Sequence, residues 1–351
     1  MTRRLIILLM WCLAGAVPGC RSGSLSFPGR VVGDDQLRQR IKLVLAEAVE
    51  SDSPQRRCHS LEALADLDDL SVPARIRKAL TDPVPAVRFA AAVAAGDIKD
   101  HTCRSRLEQL VRDRNISVQL AAGYALERMG DRRFGQWYDA MLFGDEPRLR
   151  AQACMLLGKL GESPLPLRRD RQSKLWTVIR HSGQTPAVKL QAAEALACLG
   201  DQKVLENLLR YAGSGYADDR MIAIAGLGKL DGSDAYAMLV ALLDDPQIEV
   251  RLAAVRALAQ RVDQADVAHV RRQMKYRDAQ GDATATARIR GLAALALGAS
   301  GLNEDATSLY EAMDDEHAYV RVAGARAAIE FLRRKNSRAN QGRTSRENSD
   351  F

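Results

Sequence analysis

Asp245-Pro246-Gln247-Ile248-Glu249-Val250-Arg251-Leu252-Ala253-Ala254-Val255-Arg256-Ala257-Leu258 reads as a turn followed by a helix. Asp-Pro breaks what precedes it, and Val250, Ala254 and Leu258 then fall four residues apart on one helical face. The same phrase, an aliphatic residue, a basic residue and a run of Ala and Leu, is written nine times. With the basic position as anchor, the copies sit at Arg57, Arg88, Gln119, Arg150, Lys189, Arg220, Arg251, Arg290 and Arg321. Six of the eight intervals are 31 residues and two are 39, a regularity that Ala/Leu richness alone does not produce.

Aligned on the anchor, the copies show what each position is for. Three residues on, every copy has Ser, Ala or Gly; seven on, every copy has Leu except Ala95 and Ala328. Six on, the residue is small except for Leu156, which lets a neighbouring helix approach closely. Proline three before the anchor (Pro54, Pro85, Pro147, Pro186) suits a first helical turn. Gly130, Gly161, Gly200 and Gly301, eleven after it, suit left-handed caps. A weaker amphipathic segment lies between successive anchor helices, for example Ala74 to Leu80 and Val204 to Tyr211. Each unit is therefore a hairpin of two short helices that cannot bury its apolar face alone. The expected fold is all-α: an α-solenoid of about nine 31-residue helical hairpins, wound as a right-handed superhelix.

Asp82-Pro83 through Ala95 and Asp245-Pro246 through Leu258 resemble HEAT-like repeats of the short type first described in phycobilin lyases. The resemblance covers about residues 52 to 334. It implies a ladder in which Asp and Arg of successive repeats pair between layers. Asp stands six before the anchor in four repeats (Asp82, Asp113, Asp245, Asp315), so the ladder is expected in patches.

Residues 1–19 read as a secretory leader: Arg3 and Arg4, an apolar run, and small residues before a cysteine. Val17-Pro18-Gly19-Cys20 resembles a bacterial lipoprotein box, which implies cleavage before Cys20 and lipid attachment to its thiol. Cleavage after Ala14-Gly15-Ala16 and an uncleaved anchor are the alternatives. Residues 20–33 are expected as a flexible tether, 34–334 as the solenoid opened by a capping helix at Asp34 to Glu50, and 335–351 as a disordered basic tail.

The 51 basic and 44 acidic residues leave a net charge of +7. The leader's two arginines and a tail excess of four account for most of it, so the body carries about +1 and presents no nucleic-acid-binding signature. Cys58, Cys103, Cys154 and Cys198 form no CxxC pair, and the five histidines share no spacing, so neither a metal site nor a cofactor is expected. Neither a phosphate-binding glycine loop nor a nucleophile elbow occurs, and no catalytic residue is assigned.

The two eight-residue expansions are the candidate decorations, expected as loops near Ser163 to Asp170 and Tyr276 to Ala285. Arg168, Arg169, Trp176 and Tyr276 are the candidate partner contacts. The expected function is that of a non-enzymatic protein-interaction scaffold, exported, membrane-anchored through its N-terminal lipid, and monomeric. A chromophore-handling enzyme like the phycobilin lyases is the alternative, with a nucleic-acid-binding protein behind it.

Overall fold

The structure, a computed structural model, describes residues 32–161, 164–261, 264–302 and 304–347. The leader 1–19, the lipidation site Cys20, the tether as far as residue 31 and residues 348–351 lie outside the described residues. Among those described, regular structure is helical throughout. In chain order the helices are α1 (Asp34–Val49), α2 (Pro54–Leu64), α3 (Val72–Ala79), α4 (Pro85–Asp97), α5 (Arg104–Leu110), α6 (Ile116–Arg128), α7 (Gly135–Leu142), α8 (Pro147–Lys159) and α9 (Leu165–Arg180). There follow α10 (Pro186–Cys198), α11 (Leu205–Ala212), α12 (Ala217–Leu227), α13 (Ser233–Ala241), α14 (Ile248–Leu258), α15 (Gln264–Gln273), α16 (Ala283–Ser300), α17 (Asp305–Ala312) and α18 (Ala318–Glu347). Each even-numbered helix carries an anchor, so the pairs α1/α2 through α17/α18 are the nine hairpins.

Local chemistry explains the boundaries. Pro54, Pro85, Pro147 and Pro186 open α2, α4, α8 and α10, where a missing N–H costs nothing. Ser53, Asn115, Thr185 and Asp282 accept backbone N–H groups at helix starts. Gly130, Gly200 and Gly301 have positive φ at the ends of their helices, and Lys99 takes that conformation in the second repeat. Gly161 does not; a Cβ there would meet the Cys198 carbonyl at 3.1 Å, so its smallness serves packing.

The described residues divide into two compact units, Asp68–Ala257 and residues 32–67 with 258–347. In both, anchor helices of successive repeats lie nearly backbone to backbone at particular pairs. A Cβ on Gly96 would stand 2.7 Å from Ala125 Cα, and one on Gly158 would stand 2.8 Å from Ala195 Cα. One on Gly228 would meet the Ala257 methyl at 3.1 Å, and one on Gly298 would meet the Ala327 backbone closer still. These glycines all lie eight after an anchor and the alanines all six after the next, so the close approach recurs in alternate junctions. Glycine inside a helix costs up to about 1 kcal/mol of propensity; here it is offset by contact that any side chain would prevent.

Within the second unit the first two helices lie against the last. Lys335 Nζ pairs with Asp34 at 2.7 Å, Arg333 with Asp66 at 2.9 Å, Arg326 with Glu62 at 3.0 Å and Arg321 with Glu47 at 3.6 Å. Arg40 returns the polarity, pairing with Asp314 and donating to the Met313 carbonyl. α1 is therefore more than the cap of the first repeat.

The chain departs from the sequence reading in two further places. The segment from 335, expected as disordered, continues α18 as helix through Glu347: it contains no proline, and Lys335 is held by Asp34. The first expansion is not a loop. It lengthens α9 to 16 residues where most helices in this position have 7 to 10, and Pro166 sits in its first turn, where proline is tolerated. The second expansion does form a loop, from 274 to 282, before α16 begins.

Candidate interaction face

Seven of the nine anchor side chains are spent on the fold. Arg57, Arg88, Arg220, Arg251 and Arg321 each donate from Nη1 to the carbonyl six residues back, at 2.6 to 3.0 Å. Gln119 keeps that bond with its amide, Nε2 to Asp113 O at 2.6 Å, which is why glutamine can replace arginine there. Arg290 reaches instead to the Tyr276 carbonyl, fourteen residues back, so the eight inserted residues begin just after Tyr276. The same side chains bind the next layer where it supplies an aspartate. Arg88 meets Asp113 through two bonds of 2.9 Å, Arg220 meets Asp245 at 2.7 and 2.8 Å, and Arg290 meets Asp315 at 2.9 Å. Those aspartates also accept the N–H two residues on, from Asn115, Gln247 and His317, and so shape the turn that precedes the helix. After Gln119, Arg150 and Lys189 the corresponding residues are Gly144, Gly183 and Ser214, which have no carboxylate to offer.

A second ladder runs through the other set of loops, and the sequence reading missed it. Arg77 pairs with Asp100 at 3.1 Å, Arg104 with Asp131 at 3.0 Å, and Trp176 Nε1 donates to Asp201 at 2.8 Å. The aspartates lie twelve after an anchor and accept the N–H of Thr102, Arg133 and Lys203. Asp131 is held down to about 2, chiefly by its hydrogen bond from Arg133 and against the effect of burial. In the second unit Arg271 meets the fully buried Asp305 at 2.7 Å; burial raises that carboxyl, opposed by Arg271 and Ser300. The signal was available: Gly-Asp follows two anchors at the same distance, Gly130-Asp131 and Gly200-Asp201.

The proposed contact residues are dispersed in role. Arg168 is half-buried and Arg169 exposed on the early turns of α9. Trp176 belongs to the ladder, with the Arg180 guanidinium 5.4 Å from its ring centre. Tyr276 gives its carbonyl to Arg290 and its hydroxyl to Asp278 at 3.4 Å. On the buried side of α9, Arg171 binds Glu127 and donates to the Leu160 carbonyl at 2.8 Å. This fills the one anchor-helix junction of the first unit with Glu127 where other junctions have a small residue and Leu156 where they have Ala or Gly. Tyr138 is wholly buried nearby and burial raises its hydroxyl far above the ordinary value, with Glu127 adding to the effect.

One stripe of the anchor helices escapes these duties. The residues five and nine after each anchor share a face, and their type changes from copy to copy: Val93 and Asp97, Tyr124 and Arg128, Met155 and Lys159, Glu194 and Cys198, Ala225 and Lys229. Tyr124 donates to Asp97, Lys159 pairs with Asp97 at 3.1 Å, and Cys198 donates to Glu194 at 3.2 Å. Burial raises Glu194, opposed by the Cys198 hydrogen bond and by Lys229 and Lys159. The Cys198 thiol is pushed up to about 12 by burial and by Glu194. Among the described residues no group of three His, Cys, Asp or Glu is placed to hold a metal ion, and no helix is long and apolar enough to cross a membrane.

The family model for HEAT repeats matches residues 41–127, 174–259 and 214–287, more than half of the chain. The chain belongs to the HEAT-repeat family. No curated protein matches its sequence. Among solved structures, this HEAT-repeat chain is similar to human deoxyhypusine hydroxylase in complex with glycerol, at 18% identity over 85% of this chain and 97% of that one, with a TM-score of 0.35. It is similar to the CpcE–CpcF complex of phycocyanin lyase from Nostoc sp. PCC7120, at 17% identity over 72% and 97%, with a TM-score of 0.43. It is also similar to Kap121p bound to Pho4p, at 15% identity over 85% and 39%, with a TM-score of 0.35. The HEAT-repeat assignment agrees with the all-helical solenoid read from the 31-residue period.

Proposed function

We propose that this HEAT-repeat chain is a non-enzymatic protein-interaction scaffold that receives a protein partner on the variable stripe of its anchor helices. The observation that supports this reading is the division of labour among the nine copies. Positions three, six and seven after the anchor keep their residue type because helices pack there, most anchors are held by loop carbonyls, and three of them also by an aspartate of the next layer. The positions five and nine after it obey no such rule, and they place Asp97, Met155, Lys159 and Lys229 on a mixed-charge face in the first unit, with Tyr124 buried beneath it. Repeat scaffolds bind proteins on surfaces of this kind, built from one or two positions per repeat. In the same reading the leader is removed, Cys20 is lipidated, and the protein works as a monomer in the bacterial envelope.

The test has two parts. Intact mass and membrane fractionation of the wild type and Cys20→Ala read processing and anchoring: a mature mass beginning at Cys20 with acyl chains, lost in the variant, is expected. A crosslinked pull-down from the envelope then reads partner capture. No retained protein, together with envelope complexes unchanged by deletion of the gene, would remove the scaffold reading, and retention of a bilin would replace it with the enzymatic one.

A further inference from the structure

The contact between the first and last repeats is built differently from the four Gly–Ala layer contacts inside the two units. In those four, anchor helices meet through glycine and alanine, and the rungs Arg88–Asp113 and Arg220–Asp245 inside the first unit are largely shielded from water. Where α1 and α2 meet α18, none of the four Gly–Ala approaches occurs, and the ion pairs are more open to water, from Arg326 at 36% and Glu62 at 20% exposed to Arg333 at 58% and Asp66 at 41%. A small cleft remains between α1 and α18, lined by Val44 and Ala48 from one side and Val322 from the other. Polarity is also segregated. Four of the five pairs run from a base on α18 to an acid on α1 or at the end of α2, so α18 opposes an acidic surface from Arg321 to Lys335.

We propose that this seam is an electrostatic clasp, closed in low salt and opened reversibly when its charges are screened or competed for, parting α18 from α1 and α2 while the rest of the repeats stay folded. Solvated pairs are the ones that added ions weaken, because screening at molar salt acts within about 3 Å. The buried rungs are screened far less, so the same change of conditions leaves the interior layers intact. Opening would uncover the apolar face of α1 and the basic face of α18 together.

Hydrogen exchange on the full chain at constant pH tests this, in 0.1 M and 1 M NaCl, for the wild type, for Arg326→Glu/Arg333→Glu, and for that pair combined with Glu62→Arg/Asp66→Arg. The clasp predicts at least tenfold faster exchange in α1 and in α18 up to residue 335 in high salt and in the reversed pair, with α10 unchanged. The charge-swapped quadruple variant should return α1 and α18 to wild-type rates. Exchange in α1 that ignores salt and reversal would overturn the proposal. So would acceleration shared equally by α10, which is global loosening, or a swap that restores nothing.

Discussion

A Cβ built on Gly298 would stand 2.7 Å from Ala327 Cα and closer still to its carbonyl oxygen, so α16 and α18 touch along their backbones. Neither helix can give way without moving its whole repeat. Gly298→Ala should therefore destabilise the fold by about 1–3 kcal/mol or more, the cost of overpacking a rigid core, despite the better helix propensity of alanine. Gly135→Ala, in α7 where nothing lies within 4 Å of the added atom, should be neutral or stabilising. Urea denaturation of the two variants separates the effects, and equal losses would show that the helices are not in contact as described.

The Arg220–Asp245 rung predicts an asymmetry. Both residues are buried, and Arg220 also satisfies the Ser214 carbonyl. Arg220→Met leaves the Asp245 carboxylate without its cation and should cost about 3–5 kcal/mol. The double variant Arg220→Met/Asp245→Asn removes the orphaned charge and should recover part of the loss. A double variant no more stable than the single one would mean that the aspartate's turn-shaping bonds, not the ion pair, are the larger part of its role.

These two relationships differ in how far they could be read beforehand. The rungs follow from Arg at the anchor and Asp six before the next one, because both partners occupy fixed repeat positions. The Gly–Ala approaches were half legible: the small residue six after the anchor stood out, but glycine eight after it occurs only in alternate repeats and is lost when all copies are averaged. The first expansion was misread because Arg169 falls where the 31-residue frame wants an apolar residue, which suggested that the frame was interrupted by a loop before its helix. Arg171 is nevertheless buried, its charge taken by Glu127 from a different repeat. The contact of α1 with α18 leaves no local mark, since Lys335 and Asp34 are 301 residues apart and either would read as a solvated surface charge.

His59 makes stability depend on pH. Burial first, and then the Arg326 charge, lower it from 6.5 to about 4, so the folded protein keeps it neutral where the unfolded chain protonates it. Its contribution is therefore complete above pH 6.5 and lost as the pH falls toward 4, by up to about 3 kcal/mol. His317 is lowered as well, chiefly by burial, and adds in the same direction. Unfolding free energies measured between pH 7 and 4.5 should decline less steeply for His59→Phe than for the wild type. Parallel slopes would show that His59 titrates normally.

Three thiols should be inert in the folded protein. Burial pushes Cys103 and Cys198 up to about 12 with help from Asp100 and Glu194, and raises Cys154 further. Since the thiolate is the reactive form, labelling by a disulfide reagent at pH 8 should run on the order of a thousandfold slower than for a free thiol. It should become fast in denaturant. Rapid labelling of Cys198 without denaturant would place the stripe around Glu194 in open water.

The central claim is that a protein partner sits on the variable stripe of the anchor helices, and site-specific photocrosslinking in the cells of origin tests it most directly. A photoreactive residue at Met155 or at the exposed Ala225 reports on that stripe, and one at Tyr236 or Val240 reports on the exposed side of α13. The account predicts adducts of one defined partner from positions 155 and 225 and none from 236 and 240. Adducts from α13 alone, with the stripe silent, would contradict it.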